Sequence, residues 1–476
     1  MDSLNKRLFS YSKSGMYSFH TPGHKGRKDL LEALLFPDYD LTELPGLDML
    51  HNPQGVIALA QRRAAQVYGA EETYFLVNGA TVGNQAMFLA LAANPVLRGK
   101  KIRIQRQAHR SVIGALILAG LSPEYVPPII HPDFNLPLGL DTGQFRVNDD
   151  EVGAIHLTIP SYYGTVIDLA AIIKERDETN PAVPCLVDQA HGSHFLGDLF
   201  PDNALKLGAD LVVHSTHKTL AALTQAAMLH VQGERINRIA LKQSLELLQS
   251  SSPSYLLMAS LENATQHLSS RAPWADLQWE VKKLQEELEG SLRILTDKDA
   301  GKYGIKEIDW TKILVNLDSL SLGTAEAVEI LRKEFRIEPE LWDKSNILFM
   351  LGIGSRPEDV RLLRRALAYL VKHYTGGGEK NKAKKAGPAK PCQMPIPPLR
   401  LSPREAWFAP KRSVPVKEAL GQIAGETISV YPPGIPLVAL GEEITPFVQN
   451  YLDRAENYNW QGWQNYREKK IQVIDF

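Results

Sequence analysis

Short apolar runs alternate with stretches of helical periodicity through the first half of the chain. Residues 73–77, 101–104, 153–158, 184–187 and 210–213 are rich in β-branched and apolar side chains and end in polar or glycine-containing segments, which predicts strands. Between them the apolar spacing becomes helical. Ile57, Leu59, Ala60, Ala64, Ala65 and Val67 recur on one predicted face, and Gly69 stands where a C-cap would end the helix. Residues 85–93, the apolar stretch ending at Ala119-Gly120, and residues 169–176 read as further helices. Strand and helix alternating in this way, up to about residue 240, predict an α/β fold with a mostly parallel sheet covered by helices.

The pattern then changes. A hydroxyl-rich break at 250–255 precedes an apolar helix, and a long amphipathic helix is expected over 274–295. Strand-like runs at 312–317 and 346–351, with helices at 324–335 and 357–374, predict a small α+β domain. Residues 376–391 are poor in apolar side chains and rich in Gly and Lys, the composition of a flexible linker. The expected organisation is therefore an irregular segment over 1–50 that contributes to the site, a large domain over 51–295, a small domain over 296–375, the linker over 376–391, and a C-terminal α+β domain over 392–476.

Composition narrows the function classes. An apolar fraction of 44% and a charged fraction of 22% are those of a globular protein. A net charge of −1 gives no overall attraction to nucleic acid or anionic membrane, and the lysines at 376–391 read as a solvated linker. The 2 cysteines exclude a disulfide framework and suit a reducing compartment. No apolar run is long enough to span a bilayer, and the N-terminus has no signal-peptide core, so a cytoplasmic protein is expected. His20 and His24 are separated by Pro22-Gly23, which breaks the helix that would bring them together on a metal, so an ordered loop at a site is expected there.

The candidate chemistry lies at the ends of the predicted strands. One runs into Ser215-Thr216-His217-Lys218, and another ends in Asp188-Gln189-Ala190-His191-Gly192. Taken singly, a lysine after a strand is ordinarily a solvated residue and an aspartate a turn or cap residue. Together, beyond the carboxyl ends of strands in an open α/β sheet, they suit pyridoxal phosphate, with the lysine forming a Schiff base and the acid partnering the ring nitrogen. The turn Asn78-Gly79-Ala80-Thr81-Val82-Gly83-Asn84 joins a strand to a helix N-terminus, where free N–H groups and the helix dipole favour a phosphate; an ordinary strand-to-helix turn looks the same in sequence. His109 precedes another predicted helix, where a histidine is commonly a cap or packing residue.

In chain order, Phe19-His-Thr-Pro-Gly-His-Lys, Gly46-Leu-Asp, Val77-Asn-Gly-Ala-Thr, His109-Arg-Ser, Val187-Asp-Gln-Ala-His-Gly, Ser215-Thr-His-Lys, Ser252-Pro-Ser-Tyr-Leu-Leu and Tyr431-Pro-Pro-Gly-Ile-Pro resemble the motifs of the Orn/Lys/Arg decarboxylases, in their shorter bacterial form. The resemblance implies a fold-type I pyridoxal-phosphate enzyme that decarboxylates a basic amino acid. Arginine is favoured over lysine or ornithine, which would yield agmatine for polyamine synthesis. It implies Lys218 as the Schiff-base lysine, Asp188 as partner of the ring nitrogen, His109 stacked on one cofactor face and Ala190 packed on the other. Ala80, Thr81, Ser215 and His217 would bind the phosphate, Ser252 would reach it from the partner of a homodimer, and Thr158 and His191 would sit near the ring oxygen or the substrate. His217 or Lys218 would return a proton to Cα, and Glu442 is the candidate acceptor for the distal cation. Departures from the family pattern are Gln189 for a glutamate beside the pyridinium acid, Arg110 for a lysine, and Leu440 for a proline; these bear on substrate choice or rate. An aminotransferase or other lyase of the same fold type, and a non-catalytic cofactor-binding relative, remain alternatives.

Overall fold

A computed structural model of the chain describes residues 15–25, 27–30, 40–147, 150–266, 272–375, 392–431, 434–454 and 459–476, together with Lys13 and Leu268. The linker expected at 376–391 lies outside the described residues, as do Pro432 and Pro433 of the Tyr-Pro-Pro-Gly motif.

The large domain is built on a 7-stranded sheet. Its strands in chain order are β1 (Glu72–Leu76), β2 (Lys101–Gln105), β3 (Ser122–Val126), β4 (Val152–Thr158), β5 (Cys185–Asp188), β6 (Leu211–His214) and β7 (Ala227–Val231). Across the sheet the order is β1-β7-β6-β5-β4-β2-β3. β7 runs antiparallel to both of its neighbours, while the other neighbouring pairs are parallel. Strands β4 to β7 are almost wholly buried, which is why they read as continuous apolar runs rather than alternating ones.

Helices α1 (Val56–Tyr68), α2 (Gly79–Ala92) and α3 (Arg110–Ala119) cover the sheet near the site. In α1 the expected face holds at Ile57, Ala60, Ala64 and Ala65, but Leu59 and Val67 are exposed. Gly69 ends that helix at φ 74°, with its N–H donating to the Ala65 carbonyl. At the other end, Asp48 accepts from the N–H groups of Gln54, Gly55, Ile57 and Ala58, so the Gly-Leu-Asp motif caps the helix from outside. α2 begins earlier than its apolar run, at Gly79, so the turn read as phosphate-binding is its first turn. A Cβ on Gly83 would stand 2.5 Å from a Val213 methyl carbon. The bare backbone there lets α2 lie directly on β6, next to the lysine turn.

The small domain contains strands Lys312–Asn316 and Asn346–Met350, which pair antiparallel, and helices Thr324–Phe335 and Pro357–Tyr374. The long helix before it is shorter than expected, Ala272–Leu288. The N-terminal segment is not wholly irregular: Tyr17–Phe19 forms a parallel pair with Ile337–Pro339 of the small domain. The C-terminal domain has its own core around Ile428, Leu437, Val448 and Val473.

Candidate active site

The site forms beyond the carboxyl ends of β4, β5 and β6, which stop at Thr158, Asp188 and His214. Thr158 and Asp188 lie side by side in the register of β4 and β5. Lys218 sits in a short helix, Thr216–Thr219, with Ser215 at its N-terminal boundary immediately after β6. Its Nζ is 2.9 Å from His191 Nε2. Burial lowers the Lys218 pKa below the ordinary lysine value; Asp188 and Glu340 oppose that shift and Lys312 adds to it. His191 is buried and held well below the usual imidazole pKa, chiefly by burial and then by Lys218. Lys218, its pKa lowered, therefore stands beside a neutral imidazole.

Asp188 is buried, and both of its oxygens act as acceptors, Oδ1 from Ala190 N–H at 3.1 Å and Oδ2 from Asn84 Nδ2 at 2.8 Å. Asn84 also reaches Ser111 Oγ at 2.9 Å, and Ser111 Oγ lies 2.8 Å from His109 Nδ1. His109 is the N-cap of α3, accepting from Ser111 N–H, yet the residue as a whole is open to solvent. The ring is thus held at its Nδ1 edge by Ser111. Ala80 and Ala190 are buried, and Thr81 is exposed on the first turn of α2. Ser215 is buried, and His217 Nδ1 faces the Ala226 carbonyl at 3.0 Å. Burial pushes the His217 pKa down to about 4. Ser252 is exposed; in the same break, Ser250 N–H lies 3.4 Å from Asn78 Oδ1, at the head of the 78–84 turn.

The N-terminal loop closes over the lysine turn. Gly23 N–H donates to the His217 carbonyl at 2.7 Å, and a Cβ at Gly23 would meet the Thr219 carbonyl carbon at 2.4 Å. Thr21 N–H donates to Glu340 Oε2 at 2.8 Å, Tyr162 hydroxyl donates to Glu340 Oε1 at 2.5 Å, and the Tyr162 ring lies 4.8 Å from that of His191. Lys25 Nζ is held by the His20 and Met350 carbonyls, and burial lowers its pKa to about 7. The sequence assigns no individual role to Asn84, Ser111, Tyr162 or Glu340. Asn84 and Ser111 stood inside motifs already singled out; Glu340 carried no local signal.

Two expectations change. Glu442 is wholly buried in a two-bond ion pair with Arg106, at 2.5 and 2.8 Å, and also accepts from Ala439 N–H at 2.7 Å. Its charge is already met by Arg106, so it joins the C-terminal domain to the end of β2 and carries no uncompensated charge for a distal cation. Gln189, expected to alter the charge beside Asp188, turns its side chain away from it. Its Oε1 lies 2.9 Å from His214 Nε2, His214 Nδ1 lies 3.0 Å from His230 Nε2, and His230 Nδ1 lies 2.8 Å from Thr73 Oγ1.

The model of the Orn/Lys/Arg decarboxylase major domain matches residues 3–293, and that of the C-terminal domain matches residues 394–461. The chain belongs to the Orn/Lys/Arg decarboxylase family. It is 35% identical to YaaO of Bacillus subtilis, an uncharacterised protein, over 99% of this chain and 98% of that one. It is 32% identical to an arginine decarboxylase of the same organism, over 91% of this chain and 89% of that one. Among solved structures, the Francisella novicida lysine decarboxylase LdcF superposes with a TM-score of 0.75 at 20% identity, covering 98% of this chain and 80% of that one. An aspartate aminotransferase from Thermus thermophilus superposes with a TM-score of 0.52 over 70% of this chain, as expected of a common fold-type I framework. The cofactor of this family member is pyridoxal 5′-phosphate and its reaction class is decarboxylation. The residues present fit that group. Asp188 offers a buried carboxylate, and Thr158 Oγ1, Asn84 Oδ1 and His191 Nδ1 are buried polar atoms without a partner among the described residues, which a polar cofactor could satisfy.

Proposed function

We propose that this enzyme removes the α-carboxyl group of a basic amino acid, with arginine favoured and lysine or ornithine as alternatives. The observation that carries the reading is the contact of Lys218 Nζ with His191 Nε2, at the strand ends where Asp188 is held by Asn84. Bound pyridoxal phosphate supplies a protonated ring into which the electron pair left by departing CO₂ can spread. Asp188 is read as the group that keeps a proton on the ring nitrogen, by a charge-assisted hydrogen bond. Ala80, Thr81, Ser215 and His217 are read as the phosphate cradle, His109 and Ala190 as the plates on either face, and Thr158 as the neighbour of the ring oxygen.

The lowered pKa of Lys218 makes its neutral amine, the nucleophilic form, easier to reach. Neutral His191 can accept a proton from Lys218 Nζ through Nε2 and give it back. That pair is better placed to return a proton to Cα than His217, whose Nδ1 is engaged by the Ala226 carbonyl. The N-terminal loop and Tyr162 cover this end of the site and limit water there.

Arginine is favoured because two relatives named arginine decarboxylase, from Halalkalibacterium halodurans and Bacillus subtilis, are 30% and 32% identical, against 24% and 22% for two named lysine decarboxylases. Agmatine would then be the product, made in the cytoplasm for polyamine synthesis. Ser252, exposed in the 250–255 break and free to meet a second subunit, is read as reaching the phosphate of the partner in a homodimer. The test is incubation with arginine, lysine and ornithine separately, without a keto-acid acceptor, and identification of the amine by chromatography. Agmatine and CO₂ are expected from arginine, with neither from the Lys218→Ala variant. Consumption that requires a keto acid, or no amine from any of the three, would sink the reading.

A further inference from the structure

Asn84 on α2 and Ser111 on α3 are buried polar residues with no assigned part in the chemistry. Asn84 Nδ2 lies 2.8 Å from Asp188 Oδ2 and 2.9 Å from Ser111 Oγ. Ser111 Oγ lies 2.8 Å from His109 Nδ1, and Ser111 N–H points at the same nitrogen from 3.2 Å. A continuous hydrogen-bonded bridge therefore joins Asp188 to His109.

Its protons can be counted. An ionised carboxylate only accepts, so Asn84 must turn its NH₂ group toward Asp188; the reversed amide would set two acceptors face to face. The second amide hydrogen then goes to Ser111 Oγ. Having accepted, the Ser111 hydroxyl has one proton to give, and His109 Nδ1 is the neighbour that takes it. That nitrogen receives two donors, the hydroxyl and the backbone N–H, so it carries a lone pair. The proton of a neutral imidazole is left on Nε2.

We propose that Asn84 and Ser111 are positioning residues that tie His109 to Asp188 and hold the His109 ring as the neutral Nε2–H imidazole. The inference rests on reading His109 and Asp188 as cofactor residues. A neutral plate adds no second positive charge beside the protonated ring that Asp188 partners. Protonation of His109 at Nδ1 would set that N–H against the N–H of Ser111 and break the bridge there. Asp188, Lys218 and Arg110 are the charged groups acting on the ring, with His191 as its titratable neighbour. Although one side of His109 is open to solvent, the packed side lowers its pKa; Asp188 opposes that shift, and Lys218 and Arg110 add to it.

Deuterium exchange at histidine C2–H, read by mass spectrometry on the full chain, reports the ionisation of each imidazole. In the cofactor-free parent, the His109 midpoint is expected below the ordinary value of about 6.5. N84A and S111A should raise it, and S111T, which keeps the hydroxyl, should return it to the parent value. In the loaded enzyme, N84A should release the cofactor about tenfold faster, as expected for one lost hydrogen bond to a carboxylate, followed as decay of the visible band. A parent midpoint at or above 6.5 overturns the proposal, and so does a midpoint unmoved in both N84A and S111A. Failure of the parent to bind the cofactor would refute the reading of the site instead, while exchange on the free protein would still decide whether the bridge exists.

Discussion

Replacing Glu442 with alanine separates a structural role from a substrate-binding one. Glu442 and Arg106 are both 0% exposed and meet through two parallel bonds of 2.5 and 2.8 Å. Without the carboxylate, the Arg106 guanidinium stays buried, with the Pro436 carbonyl at 3.0 Å and the Tyr125 ring at 4.8 Å as its remaining partners among the described residues. Removing one member of a buried ion pair costs about 3–5 kcal/mol, because the other charge is left uncompensated. The Ala439 N–H also loses its acceptor, which adds about 1 kcal/mol. A total near 5 kcal/mol corresponds to a fall in melting temperature of roughly 10–20 °C for a unit of this size. Thermal unfolding of the cofactor-loaded enzyme should show that fall for E442A. The double variant R106M/E442L, which replaces the pair by apolar side chains, should recover most of it. KM for each basic amino acid should change less than about twofold in E442A assayed below its transition, since a structural pair gives substrate and transition state nothing to lose. A loss of less than about 1 kcal/mol together with a tenfold rise in KM would refute this reasoning and return Glu442 to the substrate.

Gly23→Ala places a Cβ within 2.4 Å of the Thr219 carbonyl carbon and should push the N-terminal loop off the lysine turn. We expect kcat to fall at least about tenfold, with the cofactor's visible band retained; unchanged kcat would show that the loop is not part of the site. Buried His156 and His230 are pushed by desolvation down to about 4 and about 3. Since the unfolded imidazole titrates near 6.5, their contribution is complete above that pH and is lost as pH falls toward those values, by up to about 1.4 kcal/mol per unit for each. Urea midpoints should therefore drop between pH 6.5 and 4.5, and less steeply in H230N; equal slopes would exclude His230 as a contributor. Asp48→Ala removes the acceptor shared by the N-terminal amides of α1 and should cost about 1–2 kcal/mol by urea titration. Asp48→Asn, keeping one acceptor oxygen, should recover part of it, and a neutral effect of both would show that the helix end is satisfied by water.

Much of the fold was legible because its signals are local. The helices at 324–335 and 357–374 carry their period and boundaries in sequence, and the strands β4, β5 and β6 announce themselves as apolar runs that end abruptly in polar residues. β7 is less legible: its antiparallel pairing with β1 and β6 depends on segments about 150 and 15 residues away. The N-terminal strand was missed for a similar reason, since it is ordered by Ile337–Pro339 rather than by its own propensity.

In the site, sequence determined which residues are present and in which loops: a lysine after β6, an acid ending β5, a helix N-terminus after β1. Those follow from strand ends and turn chemistry, which act over a few residues. Tertiary structure decided what each side chain touches. Asn84 meets Asp188 because α2 lies on the sheet through Gly83, Glu442 meets Arg106 because the C-terminal domain docks on the end of β2, and Gln189 faces His214 because adjacent strands fix their side chains to one side of the sheet. Hydrogen bonds and ion pairs depend on distances of a few tenths of an ångström between segments remote in sequence. No local pattern of residue types can set those distances; packing of the whole chain does.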